Sequence, residues 1–346
     1  MTGKILKVGI AGYGVVGKRR RVFIDQNPHF KTVAVSDITF GSDGVAGDGI
    51  HFFSDFNSLF SQGLDVLFVS LPNYLAAEAT IAGLERDMHV FCEKPPGRTV
   101  QDIRNVIDVE KKHPDLKLKY GFNHRYHDSV IEVKRIIDSG QFGRVINLRG
   151  IYGKSSIIPF SGGWRSERKY AGGGILLDQG IHMLDMIRYF AGDFEEIKSF
   201  VSNGYWRHDV EDNAYALMRN RKGCVAMVHS TATQWQHKFG LEISLEDGLI
   251  ELSGILSGSK SYGQEKMTIV PRKEGSSVGS FHETTTSYLD DNSWRDEVNE
   301  FADVIVNNKP VVNGNSHDAL KVMEMVYRVY CADQTWKDTF NIIAPE

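Results

Sequence analysis

The sequence predicts a doubly wound α/β domain followed by a β-rich domain. Strand-like and helix-like segments alternate through about residue 121, which is the pattern of a parallel sheet with crossover helices. A glycine-rich turn joins the first strand to the first helix, and from Val145 onward strand-like runs dominate. The chain has 346 residues, more than one typical domain, and can bury two cores. We therefore expect two domains, at residues 1–122 and 123–346.

In the first domain, apolar runs of strand length alternate with segments of helical character. Thr99 can cap a helix that ends near His113. The predicted strands are Lys4–Ala11, Lys31–Ser36, Asp65–Leu71, Met88–Lys94 and Leu116–Tyr120, and the predicted helices include Val15–Phe23 and Leu75–Glu85.

In the second domain, a helix ending at Gly140 precedes a series of strands. The predicted helices are Ser129–Ser139, Gly174–Phe190, Ser293–Val306 and His317–Trp336, and the predicted strands are Val145–Tyr152, Ile197–Asn203, Ala214–Met218, Cys224–Thr231, Phe239–Leu245, Leu249–Leu252 and Met267–Val270. Two Gly- and Ser-rich segments, Gly254–Gln264 and Glu274–Ser280, are predicted to be exposed loops.

Composition favours a soluble globular enzyme. Apolar residues make up 41% of the chain and charged residues 24%, and the net charge of −4 gives no indication of nucleic-acid binding. The cysteines lack metal-type or redox-type spacing, so we expect buried reduced thiols and a cytoplasmic location. There is no signal-peptide pattern, and the most apolar run, Val66–Leu71, has the length of a strand rather than a membrane span.

The first turn has the pattern of a dinucleotide-binding fingerprint, Gly12-Tyr13-Gly14-Val15-Val16-Gly17. It follows an apolar strand and opens a helix, which is the context that the fingerprint requires. Gly12 permits the tight turn, Gly14 lets the backbone approach a pyrophosphate, and Gly17 lets helix and strand pack closely. The helix N-terminus would face the anion.

Asp37 ends the second predicted strand, twenty residues after Gly17. A carboxylate at this position can accept hydrogen bonds from the ribose hydroxyls and would repel a 2′-phosphate, so NAD is favoured over NADP. The run Lys18–Arg21 leaves an alternative open, since its cations could contact a phosphate. The competing interpretation is a solvated helix turn.

Glu93-Lys94-Pro95 closes the strand that begins at Met88. A primary amine at the end of a sheet strand, beside a dinucleotide, is placed to hydrogen-bond a substrate hydroxyl and ease its deprotonation as hydride leaves. The sequence therefore predicts a dehydrogenase.

Three stretches together resemble the Gfo/Idh/MocA oxidoreductases: AGYGVVG at Ala11, CEKPPGRT at Cys92 and AGGGILLDQGIHMLD at Ala171. The resemblance covers the whole chain. It implies an α/β Rossmann domain plus an α+β domain with a large open, mainly antiparallel β-sheet. It also implies a substrate held between the domains and subunits that associate through the sheet as a dimer or tetramer.

The same resemblance assigns site residues. It makes Lys94 the catalytic lysine, Asp178 the acidic position of the third stretch and His182 the general acid/base. It places the cofactor on the first turn, on the Pro72-Asn73 turn and on Glu93-Lys94. A histidine often found shortly after the Pro72-Asn73 turn is missing here.

On an α-helix, Asp178 and His182 share one face, where the carboxylate can orient the imidazole. We assign the base role to His182 and alkoxide stabilisation to Lys94, although a neutral Lys94 could also be the base. Asp185, one further turn along, is interpreted as structural. A metal site or a plain polar helix face is the competing interpretation, and we expect no metal, because a lysine can polarise the oxygen.

Substrate contacts are expected from two stretches. Asn123, Arg125 and Tyr126 follow the last strand of the first domain, where a domain-junction network is the alternative. Trp164 and Arg165 lie in a basic loop that could stack on a sugar and pair with an anionic group. Trp235 is interpreted as core or sheet-interface packing.

The sequence thus predicts an NAD-dependent oxidoreductase acting on a secondary alcohol of a sugar, polyol or nucleotide sugar. Two alternatives of the same fold remain: a redox-neutral glycosidase that uses bound NAD, and a non-catalytic NAD(P) sensor. The complete set Lys94, Asp178 and His182 argues against the sensor.

Overall fold

The structure, a computed structural model, describes residues 4–157, 163–258, 260–272 and 282–345. The chain divides into two compact units. The first contains the residues up to Asn123, together with Lys169–Gly172 and Trp294–Leu320, and the second contains the remainder. The sequence-based division at residues 122 and 123 differs from these units because two later segments return to the first.

The first unit contains a seven-stranded sheet in the order β3-β4-β2-β1-β5-β6-β7, in which only β3 is antiparallel to its neighbour. The strands are β1 Leu6–Ala11, β2 Phe30–Ser36, β3 Gly44–Val45, β4 His51–Phe53, β5 Val66–Val69, β6 His89–Glu93 and β7 Leu118–Gly121. The helices are α1 Val15–Gln26, α2 Asn73–Leu84 and α3 Val100–Glu110, with a 3-10 helix at Phe56–Gln62.

Apolar runs account for this parallel sheet. Every residue of β5 is buried, as expected for a central strand covered on both faces. The predicted cap of α3 is confirmed: the Thr99 hydroxyl oxygen accepts a hydrogen bond from the Asp102 N–H, and the Asp102 carboxylate accepts one from the Thr99 N–H. Helix α7, Ser293–Val306, brings Val298 and Phe301 into the core of this sheet.

The second unit contains an eight-stranded sheet in the order β15-β14-β13-β12-β8-β11-β10-β9. Only the β8–β11 pair is parallel, so the expectation of a mainly antiparallel sheet is confirmed. The strands are β8 Val145–Ser155, β9 Glu196–Ser202, β10 Asn213–Arg219, β11 Val225–Gln234, β12 Lys238–Leu245, β13 Gly248–Ser253, β14 Glu265–Pro271 and β15 Thr284–Tyr288.

The remaining helices are α4 Asp128–Ser139, α5 Arg168–Ala171, α6 Ile181–Ala191, α8 Ser316–Ala332 and α9 Gln334–Thr339. Gly140 ends α4 in the left-handed region, as predicted. Helix α6 packs on β8, where a Cβ at Gly150 would lie 2.5 Å from the Met183 sulfur. In the described residues no helix is long and apolar enough to cross a membrane.

Three local predictions need correction. The helix predicted from Gly174 begins instead as a π-helical turn, Leu176–Gly180, ahead of α6. The loop Gly254–Gln264 is not exposed throughout, because Ile255 and Tyr262 are buried. Of the cysteines, Cys92 and Cys224 are buried as expected, while Cys331 is half-buried. The predicted loop Glu274–Ser280 lies outside the described residues.

Candidate active site

The first turn has the geometry of a dinucleotide-binding turn. Gly12 has a φ of +89°, which favours glycine, and its N–H donates to the Ser36 carbonyl at 2.9 Å. A Cβ at Gly12 would collide with the Ser70 carbonyl, and a Cβ at Gly17 would collide with the Gly12 carbonyl. Both glycines are therefore required by the packing of the turn itself.

Gly14 is different, because nothing in the described chain requires it. Its φ is −74°, and a Cβ there would meet no described atom within 4 Å. Gly14 is the N-cap of α1, and no side chain caps the first N–H groups of the helix at this position. This is the arrangement in which an anionic group can approach the backbone. Next to it, the side chain of Val15 is 87% exposed.

Asp37 follows β2 directly, at the edge where the carboxyl ends of the parallel strands meet. Its carboxylate accepts hydrogen bonds from the Thr39 N–H at 3.0 Å and from the Thr39 hydroxyl at 2.7 Å. The neighbouring Ile38 side chain is 89% exposed. Asp37 is thus held by its own turn, with an exposed apolar side chain beside it.

The basic run Lys18–Arg21 is the expected solvated turn only in part, because Lys18 is exposed whereas Arg20 and Arg21 are engaged within the protein. Arg20 is completely buried, and its guanidinium donates to Glu93 Oε1 at 2.5 Å and to Glu297 Oε2 at 2.6 Å. Arg21 donates to the Tyr13 hydroxyl at 2.9 Å and pairs with Asp25 and Asp48. The sequence could not reveal this because Glu297 is 277 residues from Arg20 along the chain.

The surroundings of Glu297 shift its pKa, because the side chain is buried and shares Arg20 with a second carboxylate, Glu93. Burial raises the pKa of Glu297 to about 7, although the Arg20 cation and Lys119 act in the opposite direction. Its Oε1 atom is buried and has no hydrogen-bond partner among the described residues. Burial thus favours the protonated form of the Glu297 carboxyl group up to near neutral pH.

Lys94 follows Glu93, the last residue of β6, and is half-buried. Strands β1, β5 and β6 are parallel, so the turns after them share one edge of the sheet. That edge carries the Gly12–Gly17 turn, the Pro72-Asn73 turn and Lys94, which is where a doubly wound sheet binds its ligand. The Asn73 side-chain amide donates to the Ala171 carbonyl at 2.7 Å.

In the second unit, Asp178 lies within the π-helical turn and His182 at the start of α6. The prediction that both lie on one α-helix is wrong for Asp178, because this residue lies in a π-helix. Each hydrogen-bonded turn of a π-helix contains one more residue than a turn of an α-helix. The Asp178 N–H donates to the Gly174 carbonyl at 2.8 Å. His182 is 4% exposed.

His124 is a site residue that sequence reasoning missed. Its imidazole stacks on that of His182, with ring centroids 3.8 Å apart and an interplanar angle of 15°. His124 Nε2 lies 3.3 Å from the Tyr152 hydroxyl. The only signal was its place between Asn123 and Arg125, in the stretch already proposed for substrate contacts.

Two buried tyrosines lie close to Asp178. Burial raises the pKa of Tyr262 to about 12, and the Asp178 carboxylate acts in the same direction. Burial likewise raises the pKa of Tyr152 well above its usual value, again with a contribution from Asp178. Gln179 donates to the Tyr262 hydroxyl at 2.7 Å, and the His237 ring meets the Tyr262 ring edge-on at 4.6 Å. These phenols therefore stay neutral and act only as hydrogen-bonding groups.

Arg125 and Asp185 form a buried bidentate ion pair. The Arg125 Nε and Nη2 atoms donate to the two Asp185 oxygens at 2.8 and 2.6 Å. This supports the structural interpretation of Asp185, and for Arg125 it favours the network interpretation over direct substrate contact. Asn123 and Tyr126 are also buried.

The other proposed substrate contacts are nearer the surface. Trp164 and Arg165 begin a short 3-10 helix, and the Arg165 guanidinium lies 4.3 Å from the centre of the Trp164 ring. Trp235 is 79% exposed, so the prediction of core packing is wrong for this residue. It follows Gln234, the last residue of β11.

The fold and site define a class: a chain with a unit of the dinucleotide-binding type and a second unit that carries two stacked, buried histidines, His124 and His182. Two family models match. Residues 6–122 match the oxidoreductase family with an NAD-binding Rossmann fold, and residues 130–251 match the GFO/IDH/MocA C-terminal domain. The chain therefore belongs to the GFO/IDH/MocA family of oxidoreductases.

Curated relatives include a levoglucosan dehydrogenase from Pseudarthrobacter phenanthrenivorans, 30% identical over 57% of this chain and 54% of that protein. The chain thus spans about half the length of this relative. An inositol 2-dehydrogenase from Salmonella typhimurium is 25% identical over 73% of this chain and 76% of that protein.

Solved structures share the fold over nearly the whole chain. A levoglucosan dehydrogenase in complex with NADH superimposes with a TM-score of 0.80 at 21% identity, covering 96% of this chain and 97% of that one. A myo-inositol 2-dehydrogenase from Lactobacillus plantarum gives a TM-score of 0.73 at 20% identity, covering 98% of both chains.

Proposed function

We propose that this protein is an NAD-dependent dehydrogenase that oxidises a secondary alcohol of a sugar or polyol. The observation that carries the proposal is Gly14. A glycine whose missing side chain leaves open space at an uncapped helix N-terminus fits the approach of a pyrophosphate. The names of the relatives, levoglucosan dehydrogenase and inositol 2-dehydrogenase, support an alcohol of this class as substrate. A cytoplasmic location stays a prediction.

In this proposal the turn Gly12–Gly17 and the turn Pro72-Asn73 hold the cofactor, with Glu93 fixing the chain beside Lys94. A nicotinamide bound there would supply the hydride acceptor for the reaction. Lys94 stabilises the negative charge that develops on the substrate oxygen. Its neighbour Glu93 is held by the buried Arg20, so the backbone that carries the amine has a fixed position.

His182 takes the hydroxyl proton, with Asp178 as its orienting carboxylate. The stacked His124 keeps the His182 imidazole in one plane, and the Tyr152 hydroxyl in turn contacts His124. Trp164 and Arg165 remain candidates for stacking on the sugar or pairing with an anionic group on it, and Asn123, Arg125 and Tyr126 remain predictions.

Asp37 is proposed to select NAD over NADP. The replacement Asp37→Ser removes the carboxylate that would repel a 2′-phosphate, so the preference for NAD should fall by about tenfold or more. The ratio of kcat/KM for the two cofactors measures this. A variant that loses NAD use without any relative gain for NADP would contradict the assignment.

The main experiment measures NADH formation by absorbance in a panel of sugars and polyols. It should include levoglucosan, myo-inositol, alkyl glucosides and nucleotide sugars, each with NAD and with NADP. Turnover of a free sugar or polyol with NAD is the expected result. Sugar release without net NADH would instead indicate a redox-neutral glycosidase, and bound NADH with no reaction of any kind would indicate a sensor.

A further inference from the structure

We propose that Glu211 is a positioning residue for the reaction: by binding the backbone of Gly174 and Leu176, its carboxylate fixes the π-helical turn that carries Asp178 and that leads directly into the first residues of α6, where His182 lies. This inference rests on the proposed function, since it takes Asp178 and His182 as the acid/base pair. The geometry that supports it lies entirely within the second unit.

Glu211 accepts hydrogen bonds from backbone N–H groups at the start of the π-helical turn. It is completely buried, two residues before β10. Oε2 accepts the Gly174 N–H at 2.8 Å, Oε1 accepts the Leu176 N–H at 3.0 Å, and the Glu211 carbonyl accepts the Ile175 N–H at 3.0 Å. Three successive N–H groups thus end on one residue.

This matters because the first N–H groups of a helix have no partner within it. Leaving such donors buried and unpaired is unfavourable, so a partner from outside the helix stabilises its first turn. A carboxylate also suits the positive end of the helix. The Tyr330 hydroxyl, on helix α8, donates to Oε1 at 2.7 Å and helps to orient the carboxylate.

The glycines Gly173 and Gly174 are explained by contacts with Glu211 and its partner Tyr330. A Cβ at Gly174 would collide with the Glu211 backbone, and a Cβ at Gly173 would collide with the Tyr330 hydroxyl. The first turn of the chain leaves open space at Gly14, whereas here the protein itself fills the space. The sequence shows glycines in both places and does not distinguish the open position at Gly14 from the filled positions at Gly173 and Gly174.

The position set at Gly174 is transmitted directly to the site. The Gly174 carbonyl accepts the Asp178 N–H at 2.8 Å, and the Ser230 hydroxyl donates to the Ile175 carbonyl at 3.1 Å. A π-helical turn is a rare conformation that needs outside contacts to persist. Here Glu211 holds its start, and Ser230 holds the carbonyl next to it.

The test compares Glu211→Gln with Asp212→Asn. Asp212 is equally buried and also accepts two backbone N–H groups, from Tyr205 and Trp206 at 2.9 Å each, but it holds a different turn. Glu211→Gln cannot accept both N–H groups, because one oxygen becomes an NH₂ donor. We expect kcat to fall by about 10- to 100-fold, since small displacements of reacting groups have effects of this size, with the dissociation constant of NADH unchanged. Asp212→Asn should leave kcat within about threefold.

Hydrogen exchange gives a readout that does not depend on turnover. In Glu211→Gln, amides in a peptide covering residues 171–183 should exchange faster, while in Asp212→Asn the change should fall in residues 203–208. Unchanged exchange at 171–183, or faster exchange with wild-type kcat, would overturn the proposal. If the wild-type protein turns over no sugar in the panel, the proposed function fails, while the exchange experiment still decides whether Glu211 holds the turn.

Tyr330→Phe covers the case in which Glu211→Gln does not fold. It removes only the hydroxyl group that donates to Glu211 Oε1 and keeps the aromatic ring. We expect kcat to fall by a few-fold, with faster exchange in the same peptide and unchanged NADH binding. Wild-type values of both kcat and exchange would contradict the proposal.

Discussion

Lys94 is the residue on which the proposed chemistry depends most. Replacing it with Met keeps the length of the side chain and removes the charge. Loss of one group that stabilises a developing oxyanion costs about 10²–10³ in kcat, so we expect a loss of at least this size. NADH fluorescence should show an unchanged dissociation constant.

The surface replacement Lys112→Met, on the chain just after α3, is the matched control and should leave kcat unchanged. If Lys94→Met instead abolishes NADH binding and Lys112→Met does not, then Lys94 serves the cofactor rather than the chemical step.

Single residues also show where sequence reasoning reached its limit. Lys94 and His182 could be singled out because each lies in a short local motif. His124 and Arg20 could not, since their importance comes from contacts with residues far away in sequence: His182, Glu93 and Glu297. A histidine in a loop and an arginine in a basic run carry no local sign of such partners.

At the level of elements, two glycines of the first turn are expected to serve different purposes: Gly14 leaves room for the cofactor, and Gly17 allows the turn to pack. Gly14→Ala should fold normally, because its φ suits any residue and no described atom lies near the added Cβ. It should weaken NADH binding by about tenfold or more, since the methyl group occupies the approach of the pyrophosphate.

Gly17→Ala provides the comparison, because its Cβ would collide with the Gly12 carbonyl. This variant should lower the midpoint of thermal unfolding by several degrees, as expected for strain in a packed turn. A Gly14→Ala variant that unfolds as readily as Gly17→Ala, with normal NADH binding, would show that Gly14 is structural.

The ion-pair network that joins α1, β6 and α7 through Arg20, Glu93 and Glu297 predicts a pH dependence of stability. The folded protein retains a proton on Glu297, because its pKa is raised to about 7, whereas the unfolded chain loses this proton near pH 4.5. The contribution of this proton to the free energy of unfolding should therefore be fully present below about pH 4.5 and should decline as the pH rises towards 7. Glu297→Gln carries no titrating group and should lack this decline.

Denaturant unfolding at pH 5 and pH 8 measures the effect. From pH 5 to pH 8, the free energy of unfolding of Glu297→Gln should rise by about 2–3 kcal/mol relative to that of the wild type, since one pKa unit corresponds to about 1.4 kcal/mol. The exposed Glu85→Gln, at the end of α2, is the control and should show no such trend. A constant difference between Glu297→Gln and wild type at both pH values would contradict a protonated Glu297.

Element ends were predictable where a local signal sets them. Thr99 and Gly140 mark a helix start and a helix end with side-chain and backbone chemistry that acts over a few residues. The π-helical turn Leu176–Gly180 was not predictable, because it depends on Glu211 and Ser230, which come later in the chain. A spacing of four residues between Asp178 and His182 indicates an α-helix when nothing else is known.

At the scale of the whole molecule, the chain order does not follow the two units. The alternation of strands and helices correctly predicted the doubly wound sheet, and the β-rich runs correctly predicted the second sheet. The return of residues 294–320 to the first unit was missed. Helix α7 has an apolar stripe that fits any core, so its sequence does not say which sheet it covers.

The second sheet leaves apolar side chains uncovered, which supports our proposal that copies of this chain associate through it. Along β9, β10 and β11, outward-facing positions include Phe200, 80% exposed, and Leu217, 54% exposed, as well as Tyr215, Val225 and Met227. Single monomeric domains rarely leave a contiguous apolar patch of this kind in water. We expect a dimer or tetramer.

Leu217→Asp tests this expectation by placing a charge in the middle of the patch without touching the buried face of β10, where Ala216 and Met218 point inward. Sedimentation velocity should show a shift towards monomer, because an unpaired charge in an apolar interface costs several kcal/mol. Val312→Asp, in an exposed stretch of the first unit, is the control for an added charge. A wild-type protein that sediments as a monomer at micromolar concentration would remove the basis for the proposed association. A Leu217→Asp variant with the wild-type sedimentation coefficient would move the interface to another surface.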